Sequence, residues 1–220
     1  MTTTAAHPAI SLSRALREKT RAEHELAETR PFIRDLMIGA LGRAAYLDLA
    51  VQHLAVYTAL EAGGRRLVAQ PKLAGLVRPE LERGARLAAD LVALDGPDWA
   101  QRATLTAATQ RYVGRLDQVA ASPVGYLAHA YTRYLGDLSG GQVVRTMLVR
   151  HYGLGDSELS FYRFDGIDKV KPYKDDYRAA LDAVPLSLSE RDAVVDEAVL
   201  AFELNSDLFA DLGERHQASD

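Results

Sequence analysis

Apolar residues recur at helical spacing along most of this chain, whereas the alternating pattern of a half-buried strand is weak throughout. Residues three and four positions apart lie on the same face of an α-helix, so each such stretch can bury one stripe against its neighbours. At 220 residues the chain can build one substantial core and is short for two. The sequence therefore predicts an all-α protein with a single multi-helix domain over residues 1–220, with loose tails at residues 1–10 and 213–220.

Serine, glycine and proline divide the helical pattern, because serine caps helix starts while glycine and proline favour helix ends and turns. The predicted helices cover residues 11–28, 32–38, 43–62, 65–77, 79–95, 99–120, 123–152, 172–183 and 189–212. Ser189, with Asp192 three residues later, is the predicted start of the last helix. Residues 160–171 mix aromatic residues with Asp and Gly, which predicts a structured loop.

Composition excludes several classes of protein. Cysteine is absent, which rules out disulfides, thiolate nucleophiles and iron–sulfur sites. The net charge of −4 gives no argument for nucleic-acid binding. The first ten residues do not resemble a signal peptide, and no run of about 18 apolar residues occurs in the sequence. We therefore expect a cytoplasmic protein with no membrane span and no nucleic-acid partner.

One predicted helix, over residues 123–152, contains an unusual concentration of glycine. The glycines are Gly136, Gly140 and Gly141. Each costs a helix interior about 1 kcal/mol relative to alanine, so either the helix bends here or something bulky and flat lies against its bare backbone. Asp137 lies among these glycines, where little side-chain bulk would separate it from such an object. Without further evidence, Asp137 could equally be a carboxylate that caps a bend in this helix.

The six histidines include no pair with the spacing of a metal site on one helix. His7 and His216 lie in the predicted tails. His24 shares the inward face of the first predicted helix with Arg17, and Glu28 follows one turn later. A lone imidazole suits the single protein ligand of a heme iron, and Glu28 could accept the hydrogen bond that orients it. The other interpretation is a surface histidine among solvated charges.

A second cationic group consists of Lys171, Lys174 and Arg178, whose spacing places them on one helix face. A face of this kind is usually just solvated. Its positive charges also suit the carboxylates of a ligand, for which arginine offers two parallel donors. Both interpretations stay open at the level of these residues.

Four stretches of the sequence resemble the heme oxygenases, in the expected order. The longest, HAYTRYLGDLSGGQVV from His129 to Val144, is similar to the signature of that family. LREKTRAEHELAE resembles its proximal helix, and KPYKDDYR and AFELNSDLF resemble its last two helices. Together they extend from about Leu12 to Leu212, nearly the whole chain. The resemblance implies an all-α heme oxygenase-like bundle with heme b held between a proximal helix and a glycine-kinked distal helix.

The resemblance also implies which residues bind heme. His24 is the axial ligand of the iron and Glu28 its neighbour. The distal face and the pocket wall are implied to include Gly136, Ser139, Gly140, Gly141 and Phe202. The positions that match propionate contacts are Arg17, Tyr131, Lys174 and Arg178. Arg17 departs from the lysine that is common in the family, which keeps the charge but changes its shape.

The activity implied by the resemblance is the cleavage of heme at a meso carbon, with the α position favoured. The reaction consumes O2 and electrons and gives biliverdin, carbon monoxide and ferrous iron. Asp137 is implied to organise catalytic water, in a network that also includes Tyr57, Arg133 and Asn205. The electrons would come from a ferredoxin or a flavoprotein reductase, and a further enzyme could accept the biliverdin. Iron acquisition, heme detoxification and bilin supply are all open as its purpose.

Two other hypotheses make different predictions. A heme-binding or heme-storage protein would keep its heme intact under a reductant and oxygen. A related helical bundle that acts as a non-heme enzyme or an interaction module would bind no heme. Asp137 within GDLSGG favours the enzyme over the storage protein, and the lack of paired metal-ligand motifs argues against a non-heme metal enzyme.

Overall fold

The structure is a computed structural model and describes residues 10–217. No strand occurs within that range, so the predicted all-α class is confirmed. Its ten α-helices are α1 (Leu12–Lys19), α2 (Arg21–Glu28), α3 (Pro31–Met37), α4 (Arg43–Leu67), α5 (Gly84–Asp95), α6 (Trp99–Arg102), α7 (Ala107–Val119), α8 (Pro123–Tyr152), α9 (Val170–Asp182) and α10 (Leu188–Arg215). Single turns of 3₁₀-helix lie at Pro71–Leu73, Pro79–Leu81 and Ser160–Tyr162.

The two long helices α8 and α10 pack along each other and form the centre of the molecule. The short helices α2 and α3 also contact α10, and α4 packs against α5, α7 and α8. Many buried side chains of α8 and α10 are large and apolar, which gives these helices most of their stability through burial. Because α10 contacts both α2 and α8, it holds the two helices on either side of a space that opens between them.

The glycine-containing helix α8 has the boundaries that the sequence predicts. The side chain of Ser122 accepts a hydrogen bond from the backbone N–H of Gly125, and Pro123 occupies the first helical position. The helix ends at Gly153, whose φ of +64° is accessible to glycine at low cost. Its helical assignment is continuous from Pro123 to Tyr152, so the glycines in its middle do not end it.

The last helix, α10, begins earlier and ends later than predicted. Ser187, rather than Ser189, is its N-cap, and it forms a reciprocal capping box with Glu190. The helix continues to Arg215, which lies within the stretch that the sequence predicts to be a loose tail. His216, placed in that tail by the sequence, has its Nε2 2.9 Å from Oδ2 of Asp48. Residues 1–9 of the predicted N-terminal tail, which include His7, lie outside the described residues.

The first predicted helix is in fact two helices that meet at Thr20. The hydroxyl of Thr20 donates a hydrogen bond to the carbonyl of Leu16 at 2.9 Å, and its backbone (φ −93°, ψ 3°) leaves the helical region. A threonine hydroxyl that bonds to the carbonyl four residues earlier slightly destabilises a helix and often bends it. α2 is a separate helix, and it carries His24.

The fourth helix continues past the two glycines that the sequence predicts as its end. A methyl group at Gly64 would lie 2.9 Å from the ring of Tyr126, and one at Gly63 would lie 3.6 Å from the backbone of Ala120. These glycines therefore allow neighbouring segments to approach α4 closely instead of stopping it. The short helix predicted over residues 65–77 is replaced by the end of α4 and one 3₁₀ turn.

Side chains from α4 also explain two other boundaries. The predicted helix over residues 99–120 is interrupted between α6 and α7, where Gln52 donates to the carbonyl of Thr104 and accepts from the N–H of Thr106, both at 3.0 Å. The helix predicted from Pro79 becomes α-helical only at Gly84, because the Glu61 carboxylate accepts the Gly84 N–H at 2.9 Å. Gln52 and Glu61 are both distant in sequence from the boundaries that they set.

The predicted loop over residues 160–171 contains one 3₁₀ turn, and α9 begins at its end. Pro172 lies in the first turn of α9, where a missing backbone N–H does no harm. None of the helices between residues 10 and 217 is both long and apolar enough to cross a membrane.

Candidate functional site

A cavity opens between α2 and α8, and side chains from α10 form a third wall. It has an inner part and an outer part, and both open to solvent. The residues that line both parts, and so mark their junction, are His24, Glu28, Thr132, Gly136 and Phe202. The inner part is mainly apolar, with Leu36, Leu49, Val144, Phe161 and Phe209 in its wall. The outer part has several cationic side chains. A flat ligand with one charged edge would match this division.

His24 lies on the α2 side of the junction. Its side chain is 48% exposed, its Nδ1 is 3.5 Å from Oε2 of Glu28, and its ring lies edge-on to Phe202 at a centroid distance of 5.5 Å. Because Nδ1 faces a carboxylate, the opposite nitrogen, Nε2, is left for a ligand or metal. The sequence predicts that His24 and Glu28 are neighbours, and the structure agrees. The structure also places Phe202 of α10 against the His24 ring.

The glycines of α8 lie on the opposite side. Gly136 is exposed and lines both parts of the cavity, and a methyl group there would meet nothing within 4 Å. Gly141 lines the inner part and is buried, and a methyl group there would lie 3.2 Å from the ring of Tyr162. Gly140 is exposed and lines neither part, so its contact with a ligand stays a prediction. At Gly136 the cavity thus faces backbone rather than side chain.

A buried polar network lies beneath this glycine face. Tyr57 on α4 donates a hydrogen bond to the carboxylate of Asp137. Arg133 donates from Nε to the Tyr57 hydroxyl at 3.2 Å and from Nη1 to the side-chain oxygen of Asn205, and its guanidinium lies 4.8 Å from the Tyr57 ring centroid. The four residues come from three helices. The four side chains that the family resemblance places in one network therefore contact one another in this structure.

Burial and charge act in opposite directions on this network. Burial raises the pKa of Asp137 to about 6, although the positive charge of Arg133 and the hydrogen bond from Tyr57 oppose the shift. Burial also raises the pKa of the Tyr57 hydroxyl well above its usual range, so Tyr57 keeps its proton and acts as a donor. Asp137 is thus a carboxylate with a held orientation and a pKa close to neutral.

Cationic and phenolic groups surround the outer part of the cavity. Arg17 from α1, Arg178 from α9 and Tyr131 from α8 all line it. Burial raises the pKa of Tyr131, and the charges of Arg178 and Arg17 oppose that shift. Ser139 lines the same space and accepts a hydrogen bond from Nζ of Lys174 at 3.1 Å.

Lys171 does not join this group. Its side chain is 87% exposed and pairs with Asp175 at 2.8 Å, which agrees with the solvated interpretation of that residue. Arg178 lies 3.2 Å from the same carboxylate but also lines the cavity. On the cationic face of α9, Lys171 therefore faces solvent, while Arg178 faces the cavity.

Comparison with known proteins decides the family. The model of the family described as "Heme oxygenase" matches residues 10–211. This chain belongs to the heme oxygenase family. It is 37% identical to heme oxygenase 1 of Synechocystis sp. over 92% of this chain and 85% of that protein, and 38% identical to the heme oxygenase of Porphyra purpurea over 92% and 86%.

Solved structures of heme oxygenases agree with the fold. The structure of heme oxygenase-1 from Synechocystis in complex with heme is similar with a TM-score of 0.89 and 36% identity, covering 94% of both chains. The heme oxygenase of Leptospira interrogans is similar with a TM-score of 0.85 and 35% identity, covering 91% of this chain and 99% of that one. The family resemblance predicted from four motifs is thus confirmed.

The residues of this heme oxygenase fit a heme group. His24 lies at the junction of the two parts of the cavity, and a single imidazole suits a metal that arrives inside a macrocycle. The apolar inner part matches a porphyrin ring. Arg17 and Arg178 in the outer part match its propionates. The roles predicted for individual residues agree with this geometry and stay predictions.

Sequence reasoning missed several polar residues of the cavity, including Thr132, Tyr162 and His53. His53 on α4 lines the inner part together with Arg133, Asp137 and Asn205. Its position one turn before Tyr57 was the signal that could have found it, because residues four apart share a helix face.

Proposed function

We propose that this heme oxygenase binds heme b between α2 and α8 and opens the ring at a meso carbon, with the α position favoured. The products are biliverdin, carbon monoxide and ferrous iron. One observation carries the proposal. A single cavity has a lone imidazole, His24, on one side and bare glycine backbone beside a half-buried carboxylate, Asp137, on the other.

On the proximal side, His24 is proposed to hold the iron through Nε2. Glu28 Oε2 lies 3.5 Å from Nδ1. With heme bound, it would accept a hydrogen bond from Nδ1–H and so fix the tautomer that leaves Nε2 for the metal. Bound heme supplies an iron centre that activates O2 once electrons arrive, and a neutral imidazole donates less electron density to it than a thiolate does. Phe202 packs edge-on against the imidazole and limits its rotation.

At the outer edge, Arg17, Tyr131, Lys174 and Arg178 are proposed to bind the heme propionates. Arg17 and Arg178 supply charge-assisted hydrogen bonds, and Tyr131 supplies a hydroxyl. Ser139, which Lys174 contacts, lies on the same side of the cavity. Because all of these groups lie around the outer part, the heme would enter with its propionates toward solvent. That orientation fixes which edge of the ring faces the inner part.

On the distal side, Gly136 leaves the α8 backbone open to the cavity, and Gly141 lines its inner part. Gly140 is proposed to contact the heme from the same helix. Close approach of the backbone leaves little room above one side of the heme. Asp137 is proposed to hold a water molecule whose proton reaches the reacting oxygen, so its catalytic role is indirect. Tyr57 fixes the orientation of the carboxylate, Arg133 holds the Tyr57 hydroxyl, and Asn205 holds Arg133.

The reaction needs partners that the cavity does not provide. Electrons are proposed to come from an external ferredoxin or flavoprotein reductase. Biliverdin is proposed to pass to an enzyme that accepts it, and the reaction is proposed to take place in the cytoplasm.

Aerobic turnover of the heme complex tests this function. Purified protein with one equivalent of heme is mixed with a reductant and catalase in air. Absorbance is then recorded while the extracted products are separated by chromatography. We expect the Soret band to disappear, a bile-pigment band to grow, and one biliverdin isomer to dominate. Heme that persists through many equivalents of reductant would instead identify a heme-storage protein.

A further inference from the structure

One wall of the inner part of the cavity is a short segment between helices. This wall segment, residues 160–164, contains the 3₁₀ turn Ser160–Tyr162. Phe161 and Tyr162 line the inner part, and both are buried. The Phe161 ring lies edge-on to the ring of Tyr57 at a centroid distance of 5.5 Å. The position of the wall segment therefore sets the shape of the inner part next to the polar network.

A carboxylate holds the start of the wall segment. Asp90 of α5 is buried, and its Oδ2 accepts a hydrogen bond from the Phe161 N–H at 2.8 Å. Its Oδ1 accepts from the N–H and the hydroxyl of Ser160, at 2.9 and 2.5 Å. The first N–H groups of a helical turn have no partner within the turn, and a carboxylate satisfies them with charge-assisted hydrogen bonds. Asp90 thus fixes the segment where it enters the turn.

A guanidinium holds the end of the same segment. Arg83, directly before α5, is 2% exposed, and its Nη1 donates to the carbonyl oxygens of Phe161 and Arg163 at 3.2 and 2.6 Å. Its Nε and Nη2 donate to two more carbonyls, in the 3₁₀ turn Pro79–Leu81. The guanidinium also lies 4.1 Å from the ring centroid of Phe164. Because its donors are spread over a rigid fork, one arginine can hold several carbonyls at once.

The two charged side chains complement the polarity of the wall segment. Arg83 and Asp90 are seven residues apart, which places both on the same side of α5. The carboxylate meets the N–H end of the 3₁₀ turn and the guanidinium meets its carbonyl end, as the dipole of a helical turn favours. Burying two charged groups costs free energy that apolar side chains of similar size would not cost. What the charges provide here is a fixed position for the segment.

The wall segment is also joined to α8. Gln142 donates from Nε2 to the carbonyl of Tyr162 at 2.7 Å, and a methyl group at Gly141 would lie 3.2 Å from the Tyr162 ring. Contacts from α5 and α8 therefore determine together how far the two aromatic rings extend into the cavity.

We propose that Asp90 and Arg83 are positioning residues that hold the wall segment against α8 and so select which meso carbon of the heme is cleaved. Phe161 and Tyr162 would limit how deeply the ring enters the inner part and how far it can rotate in its own plane. This selection rests on the proposed function, because it assumes that heme occupies the cavity and is cleaved there. The hold on the wall segment rests only on the contacts described above.

Hydrogen exchange in the heme-free protein tests the hold on the wall segment. In the wild type, the Phe161 amide should be protected at least about tenfold more than that of Gly166, an exposed residue of the same loop. Asp90→Asn keeps the size of the side chain but puts an NH₂ group in place of one accepting oxygen. It should speed exchange at Phe161 by about tenfold or more. Arg83→Lys keeps the charge but lacks the fork, so it should act in the same direction.

Two results would overturn the hold. One is equal protection of the Phe161 and Gly166 amides in the wild type, which can be measured even if both variants fail to fold. The other is wild-type exchange at Phe161 in both Asp90→Asn and Arg83→Lys.

The biliverdin isomers formed by the heme complexes test the effect on the reaction. In Asp90→Asn the ratio of the dominant isomer to the others should fall by about tenfold, because misplacing a reactant by about 1 Å changes a rate by up to about 100-fold. Asp211→Asn is the matched control. The Asp211 carboxylate accepts the Ala108 N–H at 2.7 Å at the start of α7 and lines neither part of the cavity. Its variant should keep the wild-type isomer ratio.

An Asp90→Asn variant with faster exchange but the wild-type isomer ratio would overturn the selection of the meso carbon. An equal change of the ratio in Asp211→Asn would also overturn it, because lost stability would then explain both. If the wild type converts no heme, the proposed function fails, and hydrogen exchange still decides whether Asp90 and Arg83 hold the wall segment.

Discussion

Asp137 is the residue at which burial and hydrogen bonding compete most directly. Burial favours the neutral acid, while Arg133 and the Tyr57 hydroxyl favour the carboxylate, and the balance leaves the pKa at about 6. A carboxylate on the surface would be ionised at any physiological pH. Asp137 can instead hold water as an acceptor at neutral pH while being only a small free-energy step from the protonated form.

This pKa predicts how the stability of the heme-free protein depends on pH. The folded pKa of Asp137, about 6, is above the ordinary value of 3.8, so the folded state binds this proton more tightly than the unfolded chain does. The stabilisation is complete below about pH 4 and is lost as the pH rises through about 6, up to roughly 3 kcal/mol. Asp137→Asn stays neutral and avoids this loss. In urea unfolding we expect the variant to match the wild type at pH 4 and to be more stable at pH 8. A variant that is less stable at pH 8 would contradict the pKa argument.

His24 is the second residue with a sharp prediction. His24→Ala should still fold, because the side chain is half exposed and contributes little to the core. Its ferric heme complex should lose the spectrum of histidine ligation, and added imidazole should restore part of the turnover. Absorption and resonance Raman spectra measure the ligation. His151→Ala, which removes an exposed imidazole of α8, is the control. An unchanged spectrum in His24→Ala would mean that another side chain binds the iron.

At the residue scale, the sequence predicts groups that are close along the chain or that belong to a familiar motif. His24 with Glu28, and Asp137 among its glycines, are examples. It does not predict pairings between distant positions, such as His216 with Asp48. Nor did it assign His53 to the cavity, because a histidine on a helix face has the same pattern whether it packs, ligates or binds water.

At the scale of elements, α8 combines two requirements that conflict. It is the long central helix of the fold, yet at Gly136, in its middle, no side chain separates the backbone from the cavity. Each glycine lowers helix stability by about 1 kcal/mol. Burial of the other face of α8 against α4 and α10 offsets that cost. The open cavity face at Gly136 therefore lowers the local stability of α8.

Alanine substitution at Gly136 should separate stability from ligand binding. A methyl group there meets nothing within 4 Å, so Gly136→Ala should fold and gain about 1 kcal/mol of helix stability. The same methyl group would fill the cavity face and weaken heme binding. Gly114→Ala, in the interior of α7, also meets nothing and is the matched control. It should gain similar stability in urea unfolding with no change in the heme titration. Equal heme affinity in both variants would place the heme elsewhere.

Helix types and order followed from the sequence, while several boundaries did not. The wrong boundaries depend on contacts between segments. Gly63 and Gly64 allow close packing inside α4, the Glu61 carboxylate caps α5, and Gln52 bridges the gap between α6 and α7. A pattern along the chain contains no information about which side chain arrives from another helix. Such boundaries become predictable only once the packing is known.

At the scale of the whole molecule, the site lies where an N-terminal helix, a central helix and the last helix meet. α2 supplies His24, α8 supplies Asp137, and α10 supplies Asn205 and Phe202. The cavity therefore exists only in the folded protein. The four motifs that carry the family resemblance are distant in sequence because each belongs to a different wall of this cavity.

Heme should consequently stabilise the entire fold. A ligand that binds only the native state adds about 2.7 kcal/mol to the free energy of unfolding when its free concentration is 100 times its Kd. We expect thermal unfolding of the wild type to shift upward as heme is added. His24→Ala should shift less, because one bond to the ligand is lost. A melting temperature that does not depend on heme would contradict binding between α2 and α8.

The central claim is that the distal wall around Asp137 directs the oxidation of heme into ring opening. The most direct test is the yield of biliverdin from heme-loaded Asp137→Ala, measured by chromatography after aerobic turnover with a reductant. The variant should bind heme with an unchanged His24 ligation spectrum, and its biliverdin yield should fall by at least about tenfold as the catalytic water is lost. Asp117→Ala, an exposed position on α7, controls for the loss of a carboxylate. A biliverdin yield equal to that of the wild type would contradict the claim.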